Sequence, residues 1–136
     1  MDTKTDQGLR NLTVLIVDDD VSVLRSLERL VRALGFNART FETAAALLKS
    51  EIQRTGSRVL LDVNLPDMDG VRVSELLAKR GHVLPVILMT GRTDDPTTNC
   101  LIRQVRAVTT LYKPFSADLF LDALSTAFNQ CLRRGD

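Results

Sequence analysis

Residues 12–35 read LTVLIVDDDVSVLRSLERLVRALG, and the change of rhythm inside this stretch decides the fold. Leu12–Val17 is a short, mostly apolar run rich in β-branched residues. It is too short for a buried helix and reads as a strand covered on both faces. Asp18, Asp19 and Asp20 end it abruptly. From Val21 the period becomes helical: Leu24, Leu27, Val31 and Leu34 share one face, while Arg25, Glu28, Arg29 and Arg32 lie mostly outside it. Gly35 suits the position just past the helix.

The same unit recurs along the chain. Asn37–Phe41 is a weaker second strand. Thr43 N-caps a helix over Ala44–Glu51, and Thr55-Gly56-Ser57 breaks it. Val59–Leu61 is apolar and ends in Asp62, followed by the loop VNLPDMDG (63–70) and a helix over Val71–Lys79. Val83–Met89 is the fourth strand, ending in Thr90-Gly91. Asp95 and Pro96 read as N-cap and first residue of a helix to about Val105. Ala107–Tyr112 is the fifth strand, followed by Lys113-Pro114. Ser116 caps a last helix whose Phe120, Leu124, Ala127 and Cys131 form one stripe. Strands alternating with helices specify an α/β domain with a parallel sheet and right-handed crossovers. The domain is expected over 12–132, after a polar tail at 1–11 and before a short end, or the start of a linker, at 133–136.

Composition narrows the function. With 44% apolar and 26% charged residues the chain of 136 is an ordinary globular domain, not a disordered or coiled-coil one. The net charge of +1 does not suit a strongly basic nucleic-acid binder. The single histidine, His82, leaves little material for a histidine-rich metal site or a histidine relay. Cys100 and Cys131 fit no zinc spacing and read as packing thiols of a reducing compartment. No apolar run reaches membrane-span length, and the N-terminus lacks a signal-peptide core, so a cytoplasmic location is expected.

In an open parallel sheet, ligands bind outside the carboxyl ends of the strands. Here those ends carry Asp18-Asp19-Asp20, Asp62, Thr90 and Lys113. Clustered carboxylates repel unless a cation intervenes. An all-oxygen donor set suits a hard cation, best Mg²⁺, with Mn²⁺ as an alternative. Cation, lysine and hydroxyl around a carboxylate are the parts needed for phosphoryl transfer to that carboxylate. Asp20 reads as a helix N-cap, and Asp67 and Asp69 as shapers of the PDMDG turn.

With these residues the sequence resembles the receiver domain of bacterial two-component response regulators. VLIVDDD (14–20), LLDVNLPDMDG (60–70), VILMTG (86–91) and YKPF (112–115) carry the resemblance in order and spacing. Its general look is that of receivers in LuxR-like and nitrogen-fixation transcription factors. The resemblance implies a flavodoxin-like fold with strand order 2-1-3-4-5 and helices on both faces of the sheet. Asp62 would be the phosphoacceptor, taking the group from a histidine kinase or phosphotransfer protein. Asp19, Asp62 and the Asn64 backbone carbonyl would ligand Mg²⁺, with Asp18 in support. Thr90 and Lys113 would hold the phosphoryl group, and the Lys113-Pro114 bond would be cis. Asn64 and Arg92 stand where receivers tune self-dephosphorylation. The chain would be either a stand-alone receiver or part of a longer regulator whose C-terminal DNA-binding effector domain is absent from this chain, with no direct nucleic-acid binding by the receiver itself. The face of the fourth helix, fifth strand and fifth helix would support a dimer, presenting Arg103, Arg106, Thr109 and Thr110.

The sequence also departs from that pattern. Receivers carry Phe or Tyr three residues before the lysine, and here that residue is Thr110; Arg106 and Thr109 replace a common Gly and Asp. Tyr112, nominally on the same strand face as Thr110, is a candidate to take over part of the switch. Two other functions compete. Thr110 motivates a pseudo-receiver, an interaction module independent of phosphorylation. A small phosphatase of the haloacid dehalogenase type would use Asp18, with Asp20, Ser22, Thr90 and Lys113. That reading lacks the later acidic pair and leaves Asp62 unexplained.

Overall fold

The computed structural model describes residues 12–53, 56–91, 95–105 and 107–133, the last five of these by their backbone alone. Five strands alternate with five helices: β1 (Thr13–Val17), α1 (Val21–Ala33), β2 (Asn37–Phe41), α2 (Ala44–Lys49), β3 (Ser57–Asp62), α3 (Gly70–Lys79), β4 (Val86–Thr90), α4 (Pro96–Gln104), β5 (Thr109–Tyr112) and α5 (Ala117–Arg133). The strands form one parallel sheet in the order β2-β1-β3-β4-β5. This is the doubly wound, flavodoxin-like architecture expected from the sequence.

Alternation along β1 builds both halves of the core. Val14 and Ile16 join Leu24, Leu27 and Val31 of α1 and Phe120, Leu124 and Ala127 of α5 on one face. Leu15 and Val17 join Leu47 of α2, Val73 and Leu77 of α3 and Val105 on the other. Successive strand side chains point to opposite faces, so the middle of a strand covered on both sides, here Val14–Val17, is apolar at consecutive positions. A buried arginine helps seat α5: Arg58 Nε donates to the Ala127 carbonyl at 3.3 Å, and its guanidinium lies 4.5 Å from the Phe128 ring centroid.

Helix ends follow local chemistry. After α1, Gly35 adopts φ 95°, with Gly35 N–H donating to the Arg32 carbonyl and Phe36 N–H to the Val31 carbonyl. This Schellman closure needs a left-handed residue, which glycine supplies without a Cβ penalty. The expected helix to Glu51 stops at Lys49 instead. Ser50 is extended and its hydroxyl donates to the Leu47 carbonyl at 2.6 Å, taking over that carbonyl.

The fourth strand was expected over Val83–Met89 and begins three residues later, at Val86. Val83 is 87% exposed. Pro85 has no N–H to give a ladder, so the sheet starts after it. β5 is correspondingly short, its first ladder pair being Ile87 with Thr109. β3 is longer than expected, from Ser57 through Asp62. Among the described residues no helix is long and apolar enough to cross a membrane.

Candidate functional site

The carboxyl edge of the sheet gathers the acidic residues. Asp18 follows β1 directly, and its N–H donates to the Phe41 carbonyl of β2 at 3.2 Å. Asp20 caps α1, accepting from Ser22 N and Val23 N at 2.9 and 3.4 Å. The chain turns sharply between them, which leaves Asp19 exposed beside Asp18. Asp62 is the last residue of β3, paired with Met89 of β4. One carboxylate oxygen each from Asp18, Asp19 and Asp62 lies within 4.8 Å of the others.

Lys113, the first residue after β5, reaches into this cluster. Its N–H donates to the Thr90 carbonyl at 2.8 Å, fixing its backbone against β4. Its ammonium donates to Asp18 Oδ2 at 2.6 Å and to Asp62 Oδ2 at 3.0 Å. Burial pulls the Lys113 pKa down, but the hydrogen bonds to Asp18 and Asp62 and the charges of both acids outweigh it. The ammonium is held above the usual lysine range. The remaining oxygens of the two acids also have donors: Asp20 N–H bonds Asp18 Oδ1 and Asn64 N–H bonds Asp62 Oδ1, each at 2.9 Å. Asp18 is fully buried and has both oxygens engaged; Asp62 keeps 8% of its surface, and Asp19 faces solvent.

Of the other sequence-predicted residues, Thr90 and Tyr112 end their strands on the same edge, and Pro114 follows Lys113 there. Thr90, fully buried, ends β4 one residue beyond the partner of Asp62. Tyr112 pairs with Thr90 across the β4–β5 ladder and Thr110 with Leu88, so Thr110 and Tyr112 do share a face. Tyr112 is 47% exposed. The Lys113-Pro114 peptide bond is cis. Arg92 and Arg106 lie outside the described residues, as does the Cys131 side chain.

Two residues do more than the sequence reading gave them. Asp67, read there as a shaper of its own turn, reaches across to the N-terminus of α2. Its two oxygens accept from Ala44 N at 3.2 Å and Ala45 N at 3.0 Å. Thr98 was not singled out at all. It is fully buried on α4. Its hydroxyl donates to Asp95 Oδ2 at 2.9 Å and receives Asn64 Nδ2 at 3.4 Å. A signal was present: Leu101, Ile102 and Val105 define the inner face of α4, and a step of three or four residues back lands on a threonine.

A doubly wound parallel sheet with three carboxylates and one lysine gathered at its carboxyl edge defines a class of α/β domains whose ligand site lies outside the strand ends. Comparison with known proteins narrows the class to a family. The family model described as "Response regulator receiver domain" matches residues 14–125, and the chain belongs to that family. It is 36% identical over 114 residues to the response regulator protein TmoT of Ectopseudomonas mendocina, covering 84% of this chain and 51% of TmoT. It is 35% identical over 123 residues to nodulation protein W of Bradyrhizobium diazoefficiens, covering 89% of this chain and 53% of that protein. The low-resolution structure of the response regulator StyR superposes with a TM-score of 0.78 at 31% identity, covering 90% of this chain and 61% of StyR. The chain thus spans about half the length of the curated relatives it matches.

Proposed function

We propose that the chain is a phosphorylation-controlled receiver of a two-component pathway, with Asp62 as phosphoacceptor. The observation that carries this reading is the cluster of Asp18, Asp19 and Asp62 with Lys113 bonded to two of its members. Three carboxylates against one ammonium leave an excess of two negative charges, matched to a divalent cation. All the donors are oxygens, which favours Mg²⁺ or Mn²⁺ over softer ions. Asp19, Asp62 and the Asn64 carbonyl would hold the ion; Asp18, fully buried behind them, would serve as support. When bound, the cation supplies positive charge to the oxygens of the phosphoryl group.

The remaining chemistry belongs to the chain itself. An Asp62 carboxylate oxygen forms the new bond to phosphorus as the P–N bond of a partner's phosphohistidine breaks. The imidazole leaves with that bond's electron pair and takes up a proton. Lys113 has three N–H donors; two orient Asp18 and Asp62, and the third meets a phosphoryl oxygen. The Thr90 hydroxyl meets another, drawn toward the acceptor as the phosphoryl arrives. Catalysis is confined to the domain's own phosphorylation and dephosphorylation.

The partner is a histidine kinase or phosphotransfer protein. An apolar cleft beside Lys113, lined by Val23, Leu27, Pro114 and Phe115, offers it a docking place next to the acceptor. Relatives of about twice this length leave room for an effector domain, of DNA-binding type, that the receiver controls. The α4-β5-α5 face is the proposed dimer surface. Family membership does not favour the phosphatase reading, which assigns the acceptor role to Asp18.

Intact mass spectrometry after incubation with Mg²⁺ and acetyl phosphate tests the proposal. One phosphoryl adduct is expected on the wild type and none on Asp62→Asn. An adduct that survives Asp62→Asn would move the acceptor to Asp18. No adduct, together with no binding of beryllofluoride, would leave the pseudo-receiver.

A further inference from the structure

Asp62 is joined to the first turn of α4 by an unbroken set of hydrogen bonds. Asn64 N–H donates to Asp62 Oδ1 at 2.9 Å. The side chain of the same residue donates from Nδ2 to Thr98 Oγ1 at 3.4 Å. The Thr98 hydroxyl donates to Asp95 Oδ2 at 2.9 Å, and Asp95 Oδ1 accepts from Thr97 N–H at 3.1 Å as the N-cap of α4. Thr98 is the one fully buried residue within α4 itself. A hydroxyl therefore occupies the place where an apolar side chain would anchor the helix.

We propose that Thr98 couples the state of Asp62 to the position of α4, with Asn64 as the link. The proposal rests on Asp62 being the phosphoacceptor. Phosphorylation turns the Asp62 carboxylate into a mixed anhydride and moves its negative charge onto the phosphoryl oxygens. The charge-assisted bond from Asn64 N–H then becomes a neutral one, roughly half as strong. The loop after β3 readjusts, and the Asn64 side chain moves with it.

At 3.4 Å the contact with Thr98 is near the long limit of a hydrogen bond, so a few tenths of an ångström strengthen or break it. The hydroxyl is sealed from water and cannot exchange one partner for solvent without leaving a buried group unsatisfied. The first turn of α4 must follow the loop. An apolar residue at 98 would slide without such a preference. Thr98 is thus a positioning residue: it acts through Asn64 and Asp95 and touches neither the acceptor nor the phosphoryl group. This route does not need the aromatic residue missing at position 110.

The test is amide NMR of the whole chain, with beryllofluoride and Mg²⁺ standing in for a phosphoryl group. In the wild type, the amides of Val63–Leu65 and those of Asp95 and Thr97–Asn99 should both shift. In Thr98→Val the first set should shift as in the wild type, while the second falls at least about twofold, and Thr98→Ser should restore it. Full-sized α4 shifts in Thr98→Val would overturn the coupling. So would wild-type shifts at Val63–Leu65 with none in α4. If Thr98→Val fails to fold, Thr98→Ala removes the same hydroxyl with a smaller side chain and should give the same loss. A wild type that shows no shift even at Val63–Leu65 would instead overturn the phosphoacceptor reading, and the coupling with it.

Discussion

Lys113→Met removes the cation between Asp18 and Asp62 and keeps most of the side chain's bulk. The ammonium lies 2.6 and 3.0 Å from the two carboxylates, and at an effective dielectric of about 20 each attraction is about 6 kcal/mol before desolvation. Most of that is offset by withdrawing the charges from water, since the Asp18 side chain has no exposed surface. Removing one partner of a buried pair leaves a net loss of about 3–5 kcal/mol. The Lys113 side chain is 25% exposed, which places the loss at the lower end, about 3 kcal/mol. For a domain of this size the melting temperature falls by about 10 °C.

The sign of the pH dependence follows from the direction of the lysine shift. A pKa raised in the folded state gives a stabilisation complete below the ordinary lysine value of 10.5 and lost as pH rises through the raised one. The gap between wild type and variant is therefore full at mildly alkaline pH and closes in strong alkali. Urea unfolding followed by far-ultraviolet circular dichroism, in EDTA, measures it. Added Mg²⁺ should narrow the gap by supplying the missing positive charge. A variant within about 0.5 kcal/mol of the wild type in EDTA would refute the reasoning.

Asp67→Ala should cost about 1 kcal/mol by stripping two acceptors from the N-terminus of α2, with phosphoryl uptake by Asp62 unchanged. Urea midpoints and intact mass check the two halves; an unchanged midpoint would rule out the cross-loop cap. Tyr112→Ala should reduce the beryllofluoride-induced amide shifts along β5 while sparing those of Asp95 and Thr97–Asn99. Unchanged β5 shifts would remove Tyr112 from the switch.

The legible part of this protein lies where one residue's neighbours in sequence are also its physical environment. The doubly buried run ending at Val17, the helical face of Leu24, Leu27 and Val31, the Gly35 stop and the Asp20 cap all follow from periodicity and local hydrogen bonding, and the structure has them in those places. The strand-end rule located Asp18, Asp62, Thr90 and Lys113 on one edge before any distance was known, because parallel strands all end there. Boundaries moved where a single group intervened, Pro85 before β4 and the Ser50 hydroxyl after α2.

What the tertiary structure alone decided is which partner each polar group takes. Lys113 reaches both Asp18 and Asp62 because β1, β3 and β5 end on the same edge, though the residues are 95 and 51 positions away in the chain. Asp67 caps a helix 22 residues upstream of it, not its own turn. Thr98 meets Asn64 only because α4 packs against the loop after β3. A sequence constrains each segment through short-range sterics and hydrophobic period; hydrogen bonds and charge pairs across tens of residues depend on ångström-scale placement, which exists only once the sheet has closed its layers.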